Sequence, residues 1–193
     1  MEFRRHVGIA ATAILAALSL SCSTRTSYMR DVSPSPAPAA NQSKVVVFRP
    51  SAFAGATQFP IYEYVNGDAS LMGFAESGCY FEYWCAPGNH LFLTWGEGEA
   101  FIEAELAPGK TYYVRCFAKF GLISPRPAFA PVTRDSEEMM NLSEELKGLK
   151  CREVDLCSAD AYAEAKEKRV RKAKQAYDEG RKSPRLLRPD DGR

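Results

Sequence analysis

The amino-acid sequence predicts a mainly β protein: an antiparallel β-sandwich of about seven strands with a packed helix and a C-terminal helical extension. Three observations carry this. Short β-branched and aromatic runs recur roughly every ten residues between positions 44 and 118. Gly-, Pro- and Asn-rich turns separate them. After Pro131 the hydrophobic period changes from two to about 3.6.

The N-terminus reads as an export signal over residues 1–21. Arg4 and Arg5 head an uncharged run, Val7 to Leu20, that is shorter than the roughly 20 apolar residues a membrane-spanning helix needs. Ser19-Leu20-Ser21 precede Cys22 in the manner of a lipobox, so Cys22 is the expected site of lipidation after cleavage. No Asp follows Cys22, which favours a lipid-anchored, periplasm-facing place on a bacterial outer membrane. Residues 22–43 are Ser-, Pro- and Ala-rich and read as the anchor and an extended tether, reaching about 65 Å at roughly 3.1 Å per residue.

The folded part, residues 44–150, opens on Lys44-Val45-Val46-Val47-Phe48-Arg49, which Pro50 ends. Strand patterns follow at Pro60–Asn66, Leu71–Ala75, Cys79–Cys85, His90–Trp95, Ala100–Leu106 and Thr111–Ala118. In the run ending at Leu106, Ala100, Ile102, Ala104 and Leu106 face a core while Glu99, Glu103 and Glu105 face away; Phe101 is the odd member of the polar face. Met139, Leu142, Leu146 and Leu149 then recur at helical spacing, with Asp135 and Glu138 as a cap pair and Gly148 near the end. Residues 151–193 form a basic extension, a helix from Ser158 to Glu179 followed by a disordered tail. Its apolar stripe is thin, which fits a helix that projects from the domain.

Charge is nearly balanced, 25 Lys+Arg against 24 Asp+Glu, so no field points to nucleic acid. Ten basic residues nevertheless fall between Lys166 and Arg188, where they offer a surface for anionic envelope components. With Cys22 lipidated, five cysteines remain, and Cys151 with Cys157 is the first expected disulfide because they enclose a short loop between two helices. Cys79, Cys85 and Cys116 read equally as buried hydrophobes or bridges.

Chemistry-bearing residues are few. Only His90 remains after signal removal, which excludes paired-histidine metal motifs; no metal and no cofactor are expected. At a strand start after Pro87-Gly88-Asn89, its ordinary role is to bond the turn. The competing enzymatic reading sets Cys79, Cys85 or Cys116 beside His90 as a Cys-His pair. The aromatic excess suggests instead a binding face, for which Tyr80, Trp84, Trp95 and Phe101 are the candidates.

Three segments carry a likeness to a known group: Val45-Val46-Val47-Phe48-Arg49-Pro50 with Phe53-Ala54-Gly55, Gly78-Cys79-Tyr80-Phe81 leading to Ala86-Pro87-Gly88-Asn89-His90, and Leu106-Ala107-Pro108-Gly109-Lys110-Thr111-Tyr112-Tyr113-Val114-Arg115. In order and spacing they resemble the bacterial lipoprotein family known as domain of unknown function 2846. The Pro-Gly turns are also similar to those of PEGA-type β-sandwich modules. The resemblance covers somewhat over a third of the chain, implies the fold and envelope address, and brings no catalytic residues with it. The expectation is therefore a non-enzymatic envelope lipoprotein, a binding or structural module, with the membrane and an envelope protein, glycan or peptidoglycan as partners.

Overall fold

The alternation between Lys44 and Ala118 builds two stacked sheets. The computed structural model describes residues 28–193; the signal segment and Cys22 lie outside the described residues. In chain order the strands are β1 (Met29–Asp31), β2 (Ser43–Arg49), β3 (Phe59–Val65), β4 (Asp68–Ala75), β5 (Cys79–Cys85), β6 (Gly88–Trp95), β7 (Glu99–Leu106), β8 (Thr111–Lys119) and β9 (Arg126–Pro131). Helix α1 (Glu137–Lys147), strand β10 (Lys150–Val154), helix α2 (Leu156–Asp178) and strand β11 (Arg185–Leu187) follow. One sheet runs β1-β10-β5-β2-β8-β9 and the other β11-β7-β6-β3-β4.

The sandwich is as predicted, but the described residues hold eleven strands, and three pairings are parallel: β2 with β8, β10 with β5, and β11 with β7. Between β2 and β8 the chain crosses to the second sheet and returns in the same direction. Val45, Val47, Phe81 and Val114 from the first sheet meet Phe59, Ile61, Phe92 and Ile102 from the second in the interior. Each such side chain contributes about 1.5–3 kcal/mol by leaving water. The β3–β4 reversal rests on Asn66 and Gly67, at φ 52° and 94°, the left-handed pair that a two-residue hairpin needs.

Both outer faces are covered. Helix α1 lays Met139 and Leu142 on Val46, Phe48 and Tyr80 of the first sheet. Its N-cap is Ser136, whose hydroxyl accepts from the Met139 amide, one residue beyond the expected Asp135. Helix α2 covers the second sheet, burying Val170, Ala173 and Ala176 against Tyr62, Leu93, Trp95 and Phe101. The expectation of a projecting helix is thereby corrected. The expected disordered tail is corrected too: β11 pairs with β7, and Arg193 exchanges backbone hydrogen bonds with Thr111 (2.8 and 3.1 Å).

Residues 28–43 are likewise not a free tether. β1 pairs with β10, and Tyr28 stacks on Phe74 at 4.9 Å. Ser35 donates its amide to Glu82 (2.8 Å), and Lys44 Nζ reaches Glu82 and the Pro36 carbonyl, both at 3.0 Å. Lys44 and Glu82 are a nearly buried ion pair, 7% and 11% exposed, and a Pro-rich segment, whose carbonyls lack internal partners, supplies the acceptors such a pair needs.

The predicted Cys151–Cys157 disulfide is absent; all five described cysteines are free thiols. The connection between them is a strand end and a helix cap rather than a loop between helices. Cys151 on β10 faces Tyr80 beneath α1, while Asp155 caps α2 and leaves Cys157 exposed on its first turn.

Candidate functional site

Period-two alternation places Glu63 of β3 and His90 of β6 on the interior face of the second sheet. Tyr83 and Cys85 of β5 occupy the interior face of the first, and the four side chains meet between the sheets. His90 Nδ1 lies 2.5 Å from Glu63 Oε1, and Tyr83 donates its hydroxyl to Glu63 Oε2 at 2.6 Å. The other ring nitrogen, Nε2, lies 2.9 Å from the Ala86 carbonyl oxygen in the turn before β6. Glu63 Oε, Cys85 Sγ and a ring nitrogen of His90 all lie within 4.8 Å of one another.

Electrostatics follow from this packing. Burial works to raise the Glu63 carboxyl, but hydrogen bonding to His90 and Tyr83 outweighs it and holds the group below its ordinary value. Burial, with a smaller contribution from the Glu63 charge, pushes the Cys85 thiol up to about 12. Tyr83 is raised by burial and then by its bond to Glu63.

Geometry brings together the cysteine and histidine of the enzymatic reading, Cys85 and His90, but not in catalytic roles. A carbonyl oxygen only accepts, so Nε2 carries a proton, and Nδ1 is turned to Glu63. No ring nitrogen is directed at the thiol, and the thiol stays protonated. Cys79 and Cys116 do not join the cluster; Cys116 is fully buried and also pushed up to about 12 by desolvation.

The proposed aromatic face is not present as such. Tyr80 lies under α1, Trp95 and Phe101 lie under α2, and all three are buried. Phe101, the odd member of its strand's polar face, is explained by the helix that covers that face. Trp84 stays half-buried with Lys44 Nζ 5.4 Å from its ring centroid.

A concavity opens beside this cluster, with His90 in its lining, between β6, β7, the C-terminal end of α2 and β11, with a volume of about 460 Å³. Its floor is Leu91, Ala104 and Leu187; Asn66, Asn89, Glu103, Glu105 and Arg188 form the rim, with Tyr64 and Tyr177 on one wall. Tyr177 donates to Glu103 at 2.7 Å, and Lys174 Nζ sits 4.9 Å from the Tyr64 ring centroid. Basic helix residues therefore serve partly in docking: Arg169 pairs with Glu99 at 2.9 Å.

Sequence reasoning missed Glu63, Tyr83 and the groove. Glu63 interrupts an aromatic strand on what alternation makes its inward face, and that was the available signal. Arg49, an arginine that closes an apolar run, carries a signal of the same kind. It is wholly buried and donates to the carbonyls of Phe53 (2.9 Å), Ala54 (2.9 Å), Thr57 (2.6 Å) and Ala75 (3.1 Å), tying down the loop after β2. Among known proteins, no protein-family model matches the chain and no curated protein matches it, so function is argued from the site itself.

Proposed function

We propose that the protein is a non-enzymatic bacterial envelope lipoprotein, anchored through Cys22 on the periplasmic side of the outer membrane, that binds an extended segment of a partner envelope protein in the groove beside β11. The observation that supports this most is the make-up of that concavity. The groove joins an apolar floor to a polar rim, the composition of a recognition site, and His90, which lines it, has both ring nitrogens engaged by Glu63 and the Ala86 carbonyl. Because residues 28–43 are packed on the domain, only Ser23–Ser27 separate Cys22 from it, about 20 Å at roughly 3.3 Å per residue. A lipid on Cys22 then holds the sandwich close to the membrane.

The test is site-specific photo-crosslinking in intact cells. A crosslinker at Leu186, 48% exposed beside the groove, is expected to give a discrete adduct with an envelope protein. One at Met140, 76% exposed on α1 across the molecule, is expected to give none. Equal labelling from both positions contradicts the assignment. For the anchor, Cys22→Ser should abolish lipid labelling and release the protein; membrane retention after a high-salt wash contradicts it.

A further inference from the structure

The meeting of Glu63, His90 and Cys85 has more order than interior packing requires. Three potential donors of different type, a carboxylate oxygen, an imidazole nitrogen and a thiol sulfur, converge from three strands of two sheets within 4.8 Å. Two of them are already oriented by a partner of the kind that fixes metal ligands. The Ala86 carbonyl holds the proton on His90 Nε2 (2.9 Å) and so directs Nδ1 inward, and Tyr83 bonds the Glu63 oxygen that Nδ1 does not touch (2.6 Å). Among the described residues no other group of this kind occurs.

We propose that Glu63, His90 and Cys85 form a binding site for a single thiophilic divalent cation, zinc in the first instance. Zinc takes thiolate at about 2.3 Å and imidazole or carboxylate at about 2.0–2.2 Å, which sets ligand atoms roughly 3.3–3.7 Å apart in a tetrahedron. From the present arrangement the Glu63–His90 pair, at 2.5 Å, opens by about 1 Å, and Cys85 Sγ already lies within 4.8 Å of both. Binding replaces two protons with one Zn²⁺: the thiol proton of Cys85 and the proton shared between Nδ1 and Glu63 both leave to solvent. The site's net charge is therefore unchanged, which suits a buried position. Three protein ligands leave a fourth position for water. The ion would clamp β5 of one sheet to β3 and β6 of the other, at the strand that also lines the groove.

The experiment uses the full-length lipoprotein in detergent, reduced and stripped of metal with a chelator, and titrates it with Co²⁺ as a spectroscopic stand-in. One equivalent should produce sulfur-to-cobalt charge-transfer absorption with tetrahedral d–d bands, and Zn²⁺ should displace it. Cys85→Ser should remove the charge-transfer band, whereas Cys157→Ser, which takes away the exposed thiol, should leave it intact. Tyr83→Phe should weaken binding by roughly 10–100-fold. No charge-transfer band, or a band that survives Cys85→Ser, overturns the site. Should Cys85→Ser lose its fold by near-ultraviolet circular dichroism, X-ray absorption of the zinc-loaded native protein decides: one sulfur among nitrogen and oxygen ligands supports the site, and sulfur-free ligation overturns it.

Discussion

The two helices cover the two sheets by opposite means. Helix α1 spans 11 residues and supplies the bulk itself, setting Met139 and Leu142 on a surface of Val46, Phe48 and Tyr80. Helix α2 spans 23 residues and presents mostly alanines, because its sheet already presents Tyr62, Leu93, Trp95 and Phe101. Interiors pack to a common density, so the volume between helix and sheet is shared, and whichever side is large allows the other to be small. A helix read alone therefore understates its docking when the partner surface is aromatic. Polar clamps at the rims resemble each other: Arg115 binds Glu138 and Glu145 of α1, and Arg169 of α2 binds Glu99.

The comparison breaks most sharply under a buried charge. Ala173→Asp, at a wholly buried position on the sheet-facing side of α2, should cost several kcal/mol, as should Leu142→Asp on the corresponding side of α1. Comparable losses of melting temperature mean both helices belong to the cooperative unit; an unchanged melting temperature for Ala173→Asp means α2 is not docked. Removing the bulk from the sheet side comes next. Trp95→Ala should cost about 3–5 kcal/mol because the alanines of α2 cannot refill the space, and chemical denaturation would show a loss below about 1 kcal/mol if that shared-volume argument is wrong.

Smaller effects belong to the clamps. Arg115→Ala should destabilise by about 1–3 kcal/mol, since its side chain is only 27% exposed and two carboxylates lose their partner. Tyr177→Phe at the half-exposed rim of α2 should cost about 0.5–1.5 kcal/mol, and a larger loss than for Arg115→Ala would reverse the ranking. The smallest effect lies at an end of the sandwich that neither helix covers. Backbone amides of Ser124, Ile123 and Leu122, then Arg126, hold the Glu97 carboxyl down to about 2. A depressed carboxyl contributes fully above its unfolded value near 4.5 and loses that contribution as pH falls toward about 2. Amide resonances of Leu122–Ser124 should therefore lose exchange protection over that window while both helices keep theirs; loosening on raising the pH instead would refute the assignment.

Much of the sandwich was legible in the sequence, for physical reasons that also mark where legibility ends. Strands β2 to β8 announce themselves because alternation and turn chemistry are local, and α1 does so through its own apolar stripe. Strands β1, β10 and β11 are three to five residues long and exist only through pairing with distant partners, as when Met29 meets Val154. Alanines such as Ala173 carry no hydrophobic signal strong enough to reveal a docked face. At the site, the bond from the turn to His90 was readable from Ala86-Pro87-Gly88-Asn89. Glu63 and Tyr83, 27 and 7 residues away from it, come into place only through sheet register and stacking.

Hydrogen exchange on the native full-length protein tests the central claim, that the C-terminal region is a structural cover and not an appendage. Amides from Val170 to Ala176 should exchange as slowly as those of β6 and β7 beneath them, matching the protection of Met139 to Leu142 in α1. Exchange of the α2 amides at the rate of an isolated helix, with the sheet still protected, would contradict the account.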